Sequence, residues 1–165
     1  MSEGRRWPFG KHRDAGRTID EVVLCYPDYI HWWNNNPHSS GFQWLDDYIA
    51  AAIDVFDRRL FTNAKCAGKV DGIPCTRPVT LATLYKGSCS PAFWCDECDP
   101  LQLGASSATL TEVTTYNQAA AHARCCDRAR TSQRSIIKEF AIAKGLTKPW
   151  TKEKMFQFLH ERQEE

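Results

Sequence analysis

The sequence predicts a small α+β protein that is mostly helical and carries one short β, zinc-ribbon-like element. Hydrophobic residues make up 42% and charged residues 25% of the 165 residues, proportions typical of a globular chain. Apolar residues recur at helical spacing near both ends, whereas the cysteine-containing middle includes the strand-like run VTLATLY. We therefore expect three parts: an N-terminal unit at 1–61, a zinc-binding element at 62–104 and a helical tail at 105–165.

The N-terminal part contains a specific helix-start signal. Thr18 precedes Glu21 by three residues, the spacing of a capping box, in which each side chain satisfies a backbone N–H at the start of a helix. Before it, Trp7–Phe9 is predicted as a short strand and Gly10–Gly16 as a turn. Pro27 is unfavourable inside a helix but favourable in a first turn, so a second short helix is predicted to start around it.

Longer helices are predicted farther along the chain. Phe42–Leu60 places its apolar residues on one face and is predicted as one helix. The tail is predicted to open with a second capping box, Thr109-x-x-Glu112, followed by a helix that either runs on or breaks near Thr131. A last amphipathic helix is predicted over Thr151–Arg162.

Aromatic residues are concentrated in the first 33 positions, where most of them are expected to form a miniature core. Trp32 and Trp33 are adjacent, so their side chains cannot point the same way on a helix. One of the two is therefore expected to be exposed or to lie at an interface.

No secretory or membrane-spanning segment is expected. The sequence has no apolar run near the roughly 18 residues that cross a bilayer. The N-terminus MSEGRRWPFG has two arginines but no hydrophobic segment behind them. We therefore expect an intracellular protein, nuclear or cytoplasmic. In a reducing compartment its eight cysteines are interpreted first as metal ligands or free thiols.

The middle part carries the most specific chemical signal. Cys95-x-x-Cys98 is a knuckle whose spacing lets two thiolates reach one metal from a tight turn, and Cys66 and Cys75 supply a second pair. Two such pairs provide the tetrahedral sulfur environment of a closed structural zinc site. No histidine lies between residues 39 and 121, which disfavours a hydrolytic zinc. One structural Zn²⁺ ion is predicted.

Other arrangements of the cysteines remain open at this point. The spacing from Cys66 to Cys75 is wider than usual, and Cys89 could replace either ligand or be a buried thiol. A disulfide framework and unrelated core thiols are alternatives to a metal site. His122 and Cys126, at i and i+4, could form half of a second site. The favoured interpretation is a core cysteine beside a solvated histidine.

Basic residues are concentrated in two segments although the net charge is only +1. Residues 1–17 carry five Lys/Arg against two Asp/Glu, and residues 122–154 carry nine against three, whereas 18–61 is acidic. Such segregation is typical of an electrostatic surface, or of a basic segment packing beside an acidic one. Five of the basic residues are predicted to lie on about half of one helix at i, i+4 spacings: Arg124, Arg128, Arg130, Arg134 and Lys138. Because basic side chains release counterions from phosphates, the candidate nucleic-acid contacts are Lys11, Arg13, Arg17, Arg124, Arg128, Arg134 and Lys138.

Part of the N-terminal unit resembles a known module. The positions Phe9-Gly10-Lys11, Gly16, Thr18-Ile19, Glu21-Val22 and Pro27-x-Tyr29-Ile30-x-Trp32 resemble the C-terminal module of exodeoxyribonuclease X and related stand-alone proteins. The resemblance covers residues 7–33, or extends to 61 if the following helix belongs to it. The segment HRDA, between Lys11 and Gly16, is longer than in the pattern. Because the exonuclease chemistry lies in a separate carboxylate-bearing domain, the resemblance implies an accessory module of nucleic-acid-handling proteins and not a nuclease.

The sequence has no motif that indicates an enzyme. It lacks GxxxxGK[ST], GxSxG, dinucleotide-binding and HExxH patterns. We therefore expect a non-catalytic zinc protein that associates with DNA or RNA, or an accessory module of a nucleic-acid-processing assembly. The alternative is a protein–protein adaptor in a larger complex. Its contact surface would be the acidic segment 18–61 or the final helix. The apolar row of that helix, Met155, Phe156 and Leu159, supports this alternative but is also the pattern of a helix packed on its own protein.

Overall fold

The computed structural model describes residues 4–103 and 109–161. The predicted mostly helical α+β class is confirmed. The α-helices are α1 (Gly10–Asp14), α2 (Ile19–Cys25), α3 (Pro27–Asn35), α4 (Gln43–Arg58), α5 (Tyr116–Ala123), α6 (Ala129–Ala143) and α7 (Lys152–His160). The strands are β1 (Lys69–Val70), β2 (Ile73–Pro74), β3 (Leu81–Tyr85), β4 (Ala92–Trp94) and β5 (Leu110–Glu112). Short 3-10 turns lie at Ser40–Phe42 and Pro100–Leu103.

The chain forms two compact units. The first unit is Met1–Arg59 with Leu146–Glu165, and the second unit is Leu60–Gly145. The first therefore contains α1 to α4 and α7, and the second contains the five strands with α5 and α6. The predicted tail at 105–165 is thus divided between the two units. None of the helices in the described parts of the chain combines the length and the apolar character that crossing a bilayer requires.

The first unit is built around a buried tryptophan. The Trp7 ring makes edge contacts with the rings of Phe9, Tyr29 and Trp33, with centroids between 5.4 and 6.1 Å apart. The backbone N–H of Trp7 donates a hydrogen bond to the backbone carbonyl of Arg17 at 2.9 Å. This bond joins the chain segments on either side of α1. Large rings let a small unit exclude water with few residues.

The predicted capping box of α2 is confirmed. Thr18 Oγ1 accepts a hydrogen bond from the Glu21 N–H at 3.1 Å, and the Thr18 N–H donates to Glu21 Oε2 at 3.0 Å. The last helix, α7, packs against α2 and α4 within the same unit. Met155 and Leu159 of α7 are buried there. Most of the apolar row considered as an adaptor surface is therefore core of the first unit.

The second unit contains a three-stranded antiparallel sheet in the order β4-β3-β5 and a separate β1-β2 hairpin. The hairpin turns at Asp71 and Gly72, whose φ angles of +52° and +79° match a tight two-residue turn. In the sheet, Trp94 Nε1–H donates to Thr83 Oγ1 at 2.8 Å, and both residues are buried. This bond fixes β4 against β3.

An aromatic cluster joins β4 to α6. The Phe93 ring lies 5.4 Å from Phe61 and 6.2 Å from Phe140, measured between centroids. Lys144 is buried beside them, with its Nζ 4.8 Å from the Phe61 ring centroid. Phe93 is two residues before Cys95, so the segment that carries a cysteine ligand candidate packs directly on α6.

Two predictions near the N-terminus were wrong. Trp7–Phe9 does not form a strand; Arg6 makes an isolated bridge to Thr18 instead. The segment predicted as a turn contains the helix α1, which ends before Gly16. Pro8, between Trp7 and Phe9, has no backbone N–H to donate to a strand ladder, which disfavours pairing of this segment.

The start of the tail also differs from the prediction. Glu112 lies in β5, and the helix starts later, with Thr115 as N-cap and Gln118 completing a capping box. The break falls between α5 and α6, at 124–128, and not near Thr131. The Thr109-x-x-Glu112 spacing is therefore accidental, because β5 pairs with β3 and tertiary pairing overrides a local helix-start signal.

Candidate functional site

The second unit brings together the four cysteines predicted as metal ligands. The Sγ atoms of Cys66, Cys75, Cys95 and Cys98 all lie within 4.8 Å of one another, and all four residues are buried. Sulfurs about 2.3 Å from a central zinc in a regular tetrahedron are about 3.8 Å apart. The Sγ atoms of Cys75 and Cys95 are 3.8 Å apart. This cluster, here called the cysteine cluster, could therefore hold one metal ion.

Two local structures position the ligands. Cys66 precedes and Cys75 follows the β1-β2 hairpin, which reverses the chain and brings the two thiols together. The wide spacing between them is the length of that hairpin. The Ala67 N–H donates to the carbonyl of Phe93 at 2.8 Å, which holds this loop beside β4. Cys95 follows β4 directly and so enters the cluster from the sheet.

Backbone N–H groups point at the sulfur atoms. Gly68 and Cys95 donate to Cys66 Sγ at 3.4 and 3.3 Å, and Arg77 donates to Cys75 Sγ at 3.5 Å. Such donors orient the sulfur lone pairs, as groups around metal-binding cysteines do. The loops therefore fix the orientation of the sulfur atoms as well as their position.

Two of the four thiols have shifted pKa values. Burial raises the pKa of Cys95, but hydrogen bonds from the backbone of Glu97 and Cys98 outweigh it and lower the pKa to about 7. Burial and the neighbouring thiols raise the pKa of Cys98 to about 12. One thiolate thus forms near neutral pH, whereas burial and the neighbouring thiols oppose ionisation of Cys98. A divalent cation removes that opposition because it binds the thiolates directly.

An arginine lies beside the cluster. Arg77 Nη1 is 2.8 Å from Glu97 Oε2. The Glu97 carboxylate, with smaller contributions from Cys95 and Cys75, raises the pKa of Arg77. A zinc ion bound by four thiolates carries a net negative charge, which a nearby guanidinium partly offsets. In the sequence, Arg77 is one of several basic residues near the cysteines. Its position two residues after Cys75 is the feature from which its place beside the cluster could have been predicted.

The structure distinguishes the alternative arrangements of the cysteines. All eight cysteines lie in the described ranges and none of them forms a disulfide bond, so no disulfide framework is present. Cys89 lies outside the cysteine cluster and lines an open cavity with Ser135 and Glu139. It therefore does not replace Cys66 or Cys75 as a ligand candidate.

His122 and Cys126 contact the connection between β3 and β4. Cys126 is buried, as the favoured interpretation has it, but the expectation of a solvated His122 was wrong, since only 7% of it is exposed. His122 Nε2 donates to the carbonyl of Ser88 at 2.8 Å, and Cys126 Sγ lies 3.9 Å from the same oxygen. Both side chains hold the end of α5 and the turn after it against the connection between β3 and β4, which is a structural role.

The basic residues of the second unit do not share one helix, contrary to the prediction. Arg124 is the C-cap of α5 and Arg128 is the N-cap of α6, because the chain turns between them. Arg130, Arg134 and Lys138 lie on α6 at i, i+4 spacing, and all three are exposed. The opposite face of α6 is buried. We call these three residues the α6 basic row.

The basic residues of the first unit lie next to aromatic rings. Lys11 is exposed, with its Nζ 5.5 Å from the centroid of Tyr29. The guanidinium of Arg17 lies 4.3 Å from the centroid of Tyr26. Arg13 is exposed and forms an ion pair of 3.0 Å with the carboxylate that follows it in the chain. Two of the three predicted contacts of this unit, Lys11 and Arg17, therefore border aromatic rings.

Comparison with known proteins adds no further assignment. No protein-family model matches the sequence, and no curated protein or solved structure is significantly similar to the chain.

Proposed function

We propose that this chain is a non-catalytic protein in which one structural zinc ion orders the second unit, and that the basic surface of that unit associates with DNA or RNA. The cysteine cluster carries the proposal: four buried sulfurs within 4.8 Å of one another suit zinc better than metals that prefer oxygen ligands. A site closed by four thiolates leaves no position for substrate, so its role is to hold the fold.

Contacts between the cysteine cluster and α6 support a link between metal and surface. Cys95 continues from β4, and Phe93 of β4 packs on Phe140 of α6. Zinc that fixes Cys95 would fix β4 and, through the Phe93 ring, the buried face of α6. The α6 basic row on the opposite face would then be presented in one orientation.

The charge of this region supports nucleic acid as the partner. Five basic residues, Arg124, Arg128, Arg130, Arg134 and Lys138, lie between positions 124 and 138 against one carboxylate, Asp127. Each phosphate contact by such a side chain displaces about 0.9 counterions from a duplex. The resemblance of residues 7–33 to a module of nucleic-acid-handling proteins supports the same class of partner, with Lys11, Arg13 and Arg17 as a second set of contacts.

The zinc part of the proposal is tested by metal content. The protein purified from a zinc-supplemented host should contain one zinc ion per chain by inductively coupled plasma mass spectrometry. Cys75→Ser should lose most of that zinc, whereas Cys89→Ser, outside the cluster, should keep it. Equal zinc content in the two variants would contradict the proposed ligand set.

The nucleic-acid part is tested by binding at several salt concentrations. The double variant Arg134→Ala/Lys138→Ala should bind a DNA or RNA duplex more weakly, with a salt slope smaller by about 2 than that of the natural protein. Lys65→Ala/Lys86→Ala removes two exposed cations from the same unit and should keep the slope. No binding of the natural protein even at low salt would rule out nucleic acid as the partner.

A protein–protein adaptor is the second candidate. Val70 and Ile73 pair across the β1-β2 hairpin and are both largely exposed. Exposed apolar side chains at a hairpin tip are typical of protein contacts. This function would be favoured if the zinc-loaded protein does not bind DNA or RNA but binds a protein partner, and if a Val70→Ser/Ile73→Ser variant loses that binding.

A further inference from the structure

We propose that the exposed ring of Trp32, with Tyr29 and Lys11 next to it and Arg17 at the far end of the same aromatic row, is a stacking site for single-stranded nucleic acid. It is here called the Trp32 site. The proposal rests on the proposed function for the class of partner, and it adds a location in the first unit, a strand preference and a contact that does not depend on charge alone.

The two adjacent tryptophans of α3 have different roles. Only 4% of Trp33 is exposed, since its ring contacts Trp7 in the core, whereas 50% of Trp32 is exposed. The prediction that one of the pair is exposed is thus confirmed. The Trp32 and Tyr29 centroids are 5.2 Å apart with their planes 34° from parallel. Tyr29 supports the ring from one side, so Trp32 presents a large apolar face to solvent.

A row of aromatic rings extends from Trp32, and a cation lies beside two of these rings. Tyr29 contacts His12 at 4.5 Å, and His12 contacts Tyr26 at 4.9 Å, between centroids. His12 is fully buried and so holds both tyrosines in place. Arg17 lies 4.3 Å from the Tyr26 centroid, and the Lys11 Nζ lies 5.5 Å from the Tyr29 centroid. Lys11 is therefore the cation at the middle of the aromatic row, and Arg17, whose Nη1 also lies 3.0 Å from His12 Nδ1, is the cation at its far end.

This arrangement fits a single strand better than a duplex. A base needs a free π-face to stack on an aromatic side chain, and the bases of a duplex are already stacked on each other. The phosphates that flank a stacked base would lie within reach of Lys11 or Arg17. Because every base has a π-face, such a site binds single strands with little sequence preference.

Nearby carboxylates limit the charge of the site. Asp28 lies one helical turn before Trp32 on α3, and Asp14 pairs with Arg13. Lys11 and Arg17 outnumber Asp28, so the surface keeps a modest positive charge. Stacking on Trp32 is therefore expected to contribute more to affinity than phosphate contacts do.

The test is fluorescence anisotropy of labelled oligothymidylate, oligouridylate and a duplex of equal length with the full chain. Trp32→Ala should weaken binding of the single strands by about 5- to 100-fold and leave duplex affinity unchanged. The same ratio should persist at raised salt, because stacking is not screened. Trp44→Ala removes another partly exposed tryptophan of the first unit and should have no effect. Asp28→Asn should strengthen single-strand binding.

The outcomes separate this inference from the proposed function. If Trp32→Ala binds single strands as tightly as Trp44→Ala does, the Trp32 site is wrong, and loss of binding in Arg134→Ala/Lys138→Ala would still support the α6 basic row. If Trp32→Ala alone weakens binding, the Trp32 site stands and the α6 basic row is wrong. Trp32→Phe, which keeps a stacking face, should retain intermediate affinity; full loss in this variant as well would overturn stacking as the cause. No binding to any oligonucleotide overturns both.

Discussion

His160 Nε2 donates to Asp20 Oδ1 at 2.7 Å, across 140 positions of sequence. Asp20 is fully buried and also accepts a hydrogen bond from the Tyr48 hydroxyl at 3.1 Å. Burial and the Asp20 charge raise the pKa of Tyr48, so its hydroxyl stays protonated and remains a donor. A side chain at Gly4 would collide with Asp20 Oδ2. One buried carboxylate thus connects α2, α4 and α7.

His160→Ala should lower the free energy of unfolding by about 1–3 kcal/mol, because it leaves Asp20 buried with one hydrogen-bond donor fewer. Gln157→Ala, at an exposed position of the same helix, should change it by less than about 0.5 kcal/mol. Urea denaturation measures both. Equal stability of the two variants would show that the bond to Asp20 contributes nothing.

His38 should titrate above the usual pH of a histidine. Its side-chain hydrogen bond to Asp46, with Nε2 2.8 Å from Oδ2, raises the pKa of His38 above 6.5. Protonated His38 is therefore favoured by folding. Its contribution to stability is complete below the unfolded pKa of about 6.5 and is lost as the pH rises through the folded value.

The measurement is the pH dependence of the His38 ring signals by nuclear magnetic resonance. Asp46→Asn should return the pKa of His38 toward 6.5, whereas Asp47→Asn, which removes the next carboxylate, should leave it raised. A pKa of His38 at or below 6.5 in the natural protein would contradict the contribution of Asp46. The Trp33 ring stacks on His38 at 3.8 Å between centroids, so its fluorescence should follow the same titration.

Removal of the metal should loosen the second unit selectively. A zinc chelator should speed amide hydrogen exchange in β3, β4 and α6, because Cys95 would no longer be held and β4 packs on α6 through Phe93. Amides of α2 and α4, in the first unit, should keep their protection. Added zinc should restore the slow exchange and added magnesium should not. If the exchange rates of the second unit were the same before and after chelation, the metal would not order this unit.

The start of α5 offers a matched pair of cap variants. Thr115 Oγ1 accepts the Gln118 N–H at 3.2 Å, so Thr115→Ala should destabilise the protein by about 1 kcal/mol. Thr109 shows the same sequence spacing to an acidic residue but precedes a strand, so Thr109→Ala removes no helix cap and should destabilise the protein less than Thr115→Ala does. Thermal unfolding of the two variants checks this. A larger loss for Thr109→Ala would contradict the assignment of the cap.

Local chemistry made several features predictable. The Thr18–Glu21 capping box, the start of α3 at Pro27 and the length of α4 depend on interactions within a few residues, which the sequence displays. The four cysteines of the cluster were also identifiable, because the Cys95-x-x-Cys98 spacing is itself a local geometric constraint. The Trp32–Trp33 pair is predictable for the same reason, since adjacent residues diverge on any helix.

Long-range pairing decided the rest. Thr109-x-x-Glu112 has the spacing of a helix start, but β3 offers that segment backbone hydrogen bonds, and β5 forms instead. The basic residues from 124 to 138 share helical spacing, but the chain turns after α5, because Tyr116, His122 and Cys126 pack on the second unit's core. Neither outcome can be read from spacing alone.

The sequence by itself determined the α+β class, most helix starts and the Cys95-x-x-Cys98 pair, because these follow from contacts over one or two turns of chain. Only the tertiary structure decided that α7 belongs with the first unit, that Asp20 is buried beneath His160, and that Cys89 is left out of the cluster. Each of these depends on residues far apart in sequence meeting at one place. The free energy of these contacts comes from burial and from pairing between distant residues, and neither can be predicted from a local sequence pattern.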